Sequence, residues 1–108
     1  DPGIGFHRSH KSLKWYEFDL EVLRRLGEVK ALGRPVLIGC SRKSFIGKIT
    51  GKTDPADRLS GSLAAETIAV LQGADIVRTH NIRETLDSIS VASAFIKRPI
   101  RSRASTSQ

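Results

Sequence analysis

The sequence predicts a parallel α/β fold, and three observations carry that prediction. Strand-length apolar runs at residues 36–40 and 74–80 alternate with helix-length stretches whose apolar residues recur at helical spacing. Turn signals separate them, notably Gly33-Arg34-Pro35, Gly51 and Gly73. Polar and cationic residues collect where each strand run hands over to the next helix, at Ser41-Arg42-Lys43-Ser44 and at Arg78-Thr79-His80. Alternation of this kind means parallel strands joined by helical crossovers. Two complete strands cannot bury the faces of three helices, so the fold is expected to be incomplete as given.

In chain order, residues 1–6 (DPGIGF) read as the exit of a strand, and residues 7–14 as a polar, basic loop. A helix is predicted over residues 15–32, where Trp15, Phe18, Val22, Leu26 and Val29 share a face widened by Leu20 and Leu23. Gly33 and Pro35 end it in the expected order, glycine just past the last turn and proline beyond. The strand at 36–40 follows, then a short helix over residues 44–50 broken by Gly51. Asp54-Pro55-Ala56-Asp57 combines a capping acid, a proline at the first helical position and an acid in the first turn. It predicts a helix to residue 72, with Leu59, Leu63, Ala64, Ile68 and Leu71 inward. After the second strand, Asn81 and Glu84 have capping-box spacing, and the last helix is expected to turn Ile82, Leu86, Ile89, Ser93 and Ile96 to one face. Residues 1–97 form the expected domain part, and residues 98–108, with Pro99 and no apolar period, a disordered tail.

Composition narrows the function classes. No apolar run approaches the roughly 20 residues that span a bilayer, so no membrane partner is expected, and a cytoplasmic location is. The one cysteine, Cys40, allows no internal disulfide and, at the end of an apolar run, reads as a small core residue. A net charge of +7 suits a polyanion partner. It is spread along the chain, however, and aromatics are only 6%, so stacking platforms for single strands are not evident. Phosphorylated small molecules are drawn to such a surface as well. The chain has no Met and opens on Asp1-Pro2-Gly3, which leads us to expect a fragment or a processed piece.

The carboxyl ends of strands are where parallel α/β folds place their sites. Strand alternation puts Arg78 and His80 on one face, a cation and an imidazole side by side, suited to one phosphate or diphosphate. By the same alternation Lys43 and Arg42 part, one facing the pocket and the other bracing it. Ser44 falls at a helix start, where a carboxylate or phosphate is accepted. Asp1 is an acceptor for the N–H edge of a heterocycle, or simply a turn residue. His7 and His10 lack a partner at ligand spacing, and no metal site is predicted in this chain.

Four stretches in order resemble the consecutive C-terminal motifs of the dihydropteroate synthase family: Asp1-Pro2-Gly3-Ile4-Gly5-Phe6, Gly39-Cys40-Ser41-Arg42-Lys43-Ser44, Arg58-Leu59-Ser60-Gly61-Ser62 and Arg78-Thr79-His80. The resemblance covers residues 1–97 and implies the C-terminal part of a (β/α)8 TIM barrel, from the end of strand six to helix eight. It implies a transferase of folate biosynthesis that condenses 6-hydroxymethyl-7,8-dihydropterin diphosphate with p-aminobenzoate, releasing diphosphate. By the resemblance, Asp1, Lys43 and Arg78 bind the pterin; Phe6, Ser41 and Ser44 the p-aminobenzoate; and Arg78 and His80 the diphosphate. Lys43, Arg78 and His80 then form the catalytic set. A Mg2+ cofactor is implied, its ligand lying in the N-terminal part, as is a homodimer in the full-length protein; no nucleic acid partner is expected.

Some positions depart from the family pattern: Asn81 stands where many members carry Asp, His7-Arg8 replace a small residue, and residues 7–18 look longer than usual. A barrel of this kind needs about 250 residues, so this chain alone is expected to be inactive. The rival readings are a pterin-binding methyltransferase domain, a basic nucleic-acid module and a nonfunctional truncation. The Ser-Arg-Lys-Ser and Arg-Thr-His set argues against the first.

Overall fold

The computed structural model describes residues 1–4 and 14–97. Phe6, His7, His10 and the tail at residues 98–108 lie outside them. The elements are α1 (Trp15–Arg24), α2 (Leu26–Lys30), β1 (Leu37–Ile38), α3 (Ser44–Thr50), a 3-10 turn (Pro55–Asp57), α4 (Leu59–Leu71), β2 (Ile76–Val77) and α5 (Ile82–Ile96). β1 and β2 pair in parallel, Leu37 with Ile76 and Ile38 with Val77, so α3 and α4 form the crossover. The predicted α/β class is observed, and from residue 15 onward helices and strands follow in the predicted order, whereas residues 1–4, read from the sequence as the exit of a strand, carry no strand.

The predicted helix over 15–32 is interrupted at Arg25, which leaves helical geometry (φ −101°, ψ 20°). Leu23 and Leu26 on either side are both buried. Their three-residue spacing survives the break, which is why periodicity does not reveal it. The strand runs pair over only two residues each, but further bonds extend the contact. Asp75 N–H and Ile76 N–H donate to the Val36 carbonyl at 2.8 and 3.2 Å, and Arg78 N–H to that of Ile38 at 2.9 Å. Asp75 locks the entry to β1: its carboxylate accepts from Val36 N–H at 2.8 Å and from the Lys30 ammonium at 2.6 Å.

Asp54 caps as predicted, its Oδ1 accepting from Ala56 N–H at 3.0 Å. The turn it starts is separate from α4, however, because Arg58 breaks the helical course (φ −102°, ψ 24°). Its guanidinium is drawn back to the carbonyls of Arg42, Lys52 and Thr53 at 2.9 Å each.

The core joins Ile4, Leu23, Leu26, Val36, Ile38, Cys40, Phe45, Ile46, Ala65 and Ala69. Two predicted helix faces need correction. On α4 the buried residues are Ser62, Ala65, Glu66 and Ala69; Leu59 and Leu63 are half-buried, while Ala64, Ile68 and Leu71 are exposed. On α5 the buried residues are Thr85 and Ala92, with Ile89 and Ser93 half-buried; Ile82, Leu86 and Ile96 are exposed, Ile82 by 67%. The reason is close packing. α4 packs against both α3 and α5, and a Cβ added at Gly61 would lie 2.4 Å from Ile46 Cγ2. Helices this close meet through small side chains, so the large apolar residues turn outward.

Candidate functional site

The ends of β1 and β2 face one cleft of about 260 Å3, lined by Gly39, Ser41, Lys43, Arg78, Thr79 and His80. Five of the six, all but Gly39, lie in the two stretches singled out by sequence for cations at strand ends. The lining holds two permanent cations and an imidazole, and no carboxylate. Among the described residues, no carboxylate forms an ion pair with Arg78. A concavity with this lining attracts a phosphate, diphosphate or carboxylate. Its volume is below the roughly 300–1,000 Å3 of a complete small-molecule site.

Arg42 and Lys43 are separated as expected, by a different device. The strand does not continue: Arg42 takes φ +59°, the left-handed region rarely used by residues with a Cβ. Such a conformation costs on the order of 1–3 kcal/mol and persists only when its surroundings hold it. α4 supplies the hold. Arg42 N–H donates to Ser62 Oγ at 2.8 Å, and Arg58 donates to the Arg42 carbonyl at 2.9 Å. The turn brings Lys43 to the cleft and keeps Arg42 out of its lining. The Arg58-to-Ser62 motif is thus the brace of the cationic loop.

Arg78 and His80 meet as alternation predicts, and Thr79, which strict alternation would turn to the opposite face, also reaches the cleft because β2 ends at Val77. A Cβ on Gly39 would lie 2.8 Å from Arg78 Nη2, so the guanidinium rests on a surface that only glycine provides. His80 Nδ1 lies 3.0 Å from Ser41 Oγ, and Thr79 Oγ1 lies 3.5 Å from the same hydroxyl. Ser41 is itself buried, so its hydroxyl fixes the imidazole from within the fold.

Ser44 opens α3 and is half-buried, outside the cleft lining. Asp1 is exposed, with Oδ1 accepting from Gly3 N–H at 2.8 Å in a turn, and it also lies outside the lining. Ile4, three residues on, is buried in the core and anchors this segment. Cys40 is fully buried; burial first, and then the charge of Glu66, push its thiol up to about 12. It stays a neutral core thiol. Among the described residues no group of three or more His, Cys, Asp or Glu is placed to hold a metal ion. No helix among them is long and apolar enough to cross a membrane.

Sequence reasoning passes over Gly39, Thr79, Glu66 and Thr85 as site residues. One signal was available for Glu66, the lone charged residue in α4.

A family model described as pterin binding enzyme matches residues 1–80. The dihydropteroate synthase of Synechocystis sp. is 46% identical over 95 residues, covering 88% of this chain and 31% of that protein. A structure of dihydropteroate synthase from Thermus thermophilus in complex with 6HMPPP superposes with a TM-score of 0.78 at 43% identity, covering 89% of this chain and 36% of that one. The Xanthomonas albilineans enzyme with 4-aminobenzoic acid gives 0.80 at 37% identity, covering 91% and 34%. The chain spans about a third of the length of these relatives.

Proposed function

The chain belongs to the family of pterin binding enzymes, and from that premise we propose that it is the C-terminal portion of a dihydropteroate synthase, from the end of strand six to helix eight of a (β/α)8 barrel. The complete enzyme is a transferase of folate biosynthesis. It joins 6-hydroxymethyl-7,8-dihydropterin diphosphate to p-aminobenzoate and releases diphosphate. One observation carries the reading: Lys43, Arg78 and His80 line a single cleft without a carboxylate, at the ends of two parallel strands. The ligands named with the Thermus and Xanthomonas structures, 6HMPPP and 4-aminobenzoic acid, support it. The exposed apolar residues Ile76, Ile68 and Leu71 fit a segment with further strands, helices or a second subunit to cover it. A homodimer and a cytoplasmic setting are part of the proposal.

In this reading Arg78 and His80 hold the diphosphate, and Lys43 and Arg78 border the pterin together with Asp1. Ser44, Ser41 and Phe6 belong to the p-aminobenzoate side. As the amine nitrogen attacks the methylene carbon, the C–O bond breaks and diphosphate leaves with the electron pair. Donors fixed where that charge develops lower the barrier. Arg78 over Gly39 is such a donor, and His80, held by Ser41, becomes one when its ring carries a second proton. The described residues offer no ligand set for Mg2+, so the expected ion takes its ligands elsewhere in the complete enzyme, and no step here runs through it.

The test is condensation by the complete enzyme, the isolated chain and the Lys43→Ala enzyme. Turnover by the complete enzyme, none by the isolated chain, and a severe loss of kcat/KM on Lys43→Ala are expected. No turnover by the complete enzyme overturns the reading, and unchanged kcat/KM removes Lys43 from the site.

A further inference from the structure

A file of hydroxyls runs from the cleft into the core and ends on a carboxylate. His80 Nδ1 lies 3.0 Å from Ser41 Oγ, Ser41 Oγ 3.5 Å from Thr79 Oγ1, and Thr79 Oγ1 3.0 Å from Thr85 Oγ1. Thr85 Oγ1 in turn donates to Glu66 Oε1 at 2.7 Å. Glu66 is 0% exposed and its Oε2 has no hydrogen-bond partner among the described residues. A buried carboxylate with one hydrogen bond is costly, and packing alone gives no reason for it between Ala65 and Thr67.

We infer that Glu66 is a positioning residue for His80, acting through Thr85, Thr79 and Ser41 to set which imidazole nitrogen carries the proton. The inference rests on the reading of His80 as a diphosphate-site residue. Each hydroxyl has one proton to give. A carboxylate only accepts, so Thr85 gives its proton to Glu66 and accepts from Thr79. Thr79 has then spent its proton, and accepts from Asn81 N–H at 3.2 Å and from Ser41. Ser41, donating to Thr79, accepts from His80, which places the proton on Nδ1.

The Nε2 lone pair is left for the cleft. Condensation frees one proton from the amine nitrogen as the C–N bond forms and the C–O bond breaks toward diphosphate. Nε2 takes that proton, and the imidazolium stands beside the departing anion together with Arg78 and Lys43. A neutral Glu66 protonated on Oε1 would reverse every donor in the file and leave the proton on Nε2.

The test is 15N NMR of histidine-labelled complete enzyme without substrate, with the His80 signals assigned by their loss in His80→Gln. In the neutral ring, Nδ1–H is expected for the unmodified enzyme, and a shift toward Nε2–H for both Glu66→Gln and Thr85→Val. Kinetically, kcat falls about 10-fold in both with KM for either substrate unchanged, a modest share of a proton-transfer contribution. Thr79→Val carries the same expectation and replaces Glu66→Gln where that variant does not fold. Nε2–H in the unmodified enzyme, or one tautomer throughout, overturns the inference. A shift in Glu66→Gln without one in Thr85→Val also overturns it, since the file would then not be the route. Because the spectra need no turnover, a failure of the synthase reading shows separately, as absence of condensation by the unmodified enzyme.

Discussion

Replacing Gly39 with alanine separates the cleft's chemistry from the fold's stability. The new Cβ would sit 2.8 Å from Arg78 Nη2, 3.1 Å from Nε and 3.3 Å from Cζ. Ordinary contact needs about 3.5–4.0 Å, so the guanidinium must retreat by roughly an ångström. It is the end of a flexible, exposed side chain, so the retreat is cheap for the fold. The cost to the anion that Arg78 is proposed to hold is different. A hydrogen bond to a charged group contributes about 1.5–3 kcal/mol, which corresponds to a loss of roughly 10- to 150-fold in kcat/KM for the pterin diphosphate. The assay is diphosphate release by the complete enzyme at varied pterin substrate, with thermal unfolding measured in parallel. Gly27→Ala is the control, because nothing lies within 4 Å of a Cβ there. Wild-type kcat/KM in Gly39→Ala would refute the role of Arg78, and a large drop in Tm would refute the claim that the clash is absorbed by the side chain.

Gly61→Ala should behave in the opposite way. A Cβ there meets Ile46 Cγ2 at 2.4 Å inside the α3–α4 packing. Overpacking of about 1–3 kcal/mol then outweighs the roughly 1 kcal/mol of helix propensity gained, and the urea midpoint should fall; an unchanged or higher midpoint contradicts the packing argument. Asp75→Asn should lower stability at neutral pH. The Lys30 ammonium first, and Val36 N–H second, hold the Asp75 carboxyl below its ordinary 3.8. A depressed folded value means the contribution is present above 3.8 and is lost as pH falls through the folded value. The two unfolding curves should therefore converge in acid, and a gap that stays constant there contradicts the assignment.

The order of elements was legible because strand and helix periods differ and because Gly33, Pro35, Gly51 and Gly73 mark the breaks. Arg78 with His80 was legible from strand alternation, and Lys43 from its place after the apolar run. The inward faces of α4 and α5 were not, because close approach chose Ser62, Ala65, Thr85 and Ala92 over the larger apolar residues. Periodicity counts hydrophobicity and is blind to that choice. Arg42 reaches its left-handed turn through Ser62 and Arg58, 20 and 16 residues distant. No local pattern announces such a brace. The file from His80 to Glu66 joins residues from α4, α5 and the loops after both strands, so only the folded chain assembles it.

The central claim is that Arg78 and His80 form the diphosphate side of the cleft, and direct binding tests it most simply. Inorganic diphosphate titrated into the complete enzyme by calorimetry should bind, and Arg78→Ala and His80→Ala should each weaken it by 10-fold or more, about 1.4 kcal/mol or more, with unfolding temperatures unchanged. Equal affinity in all three proteins would contradict the account.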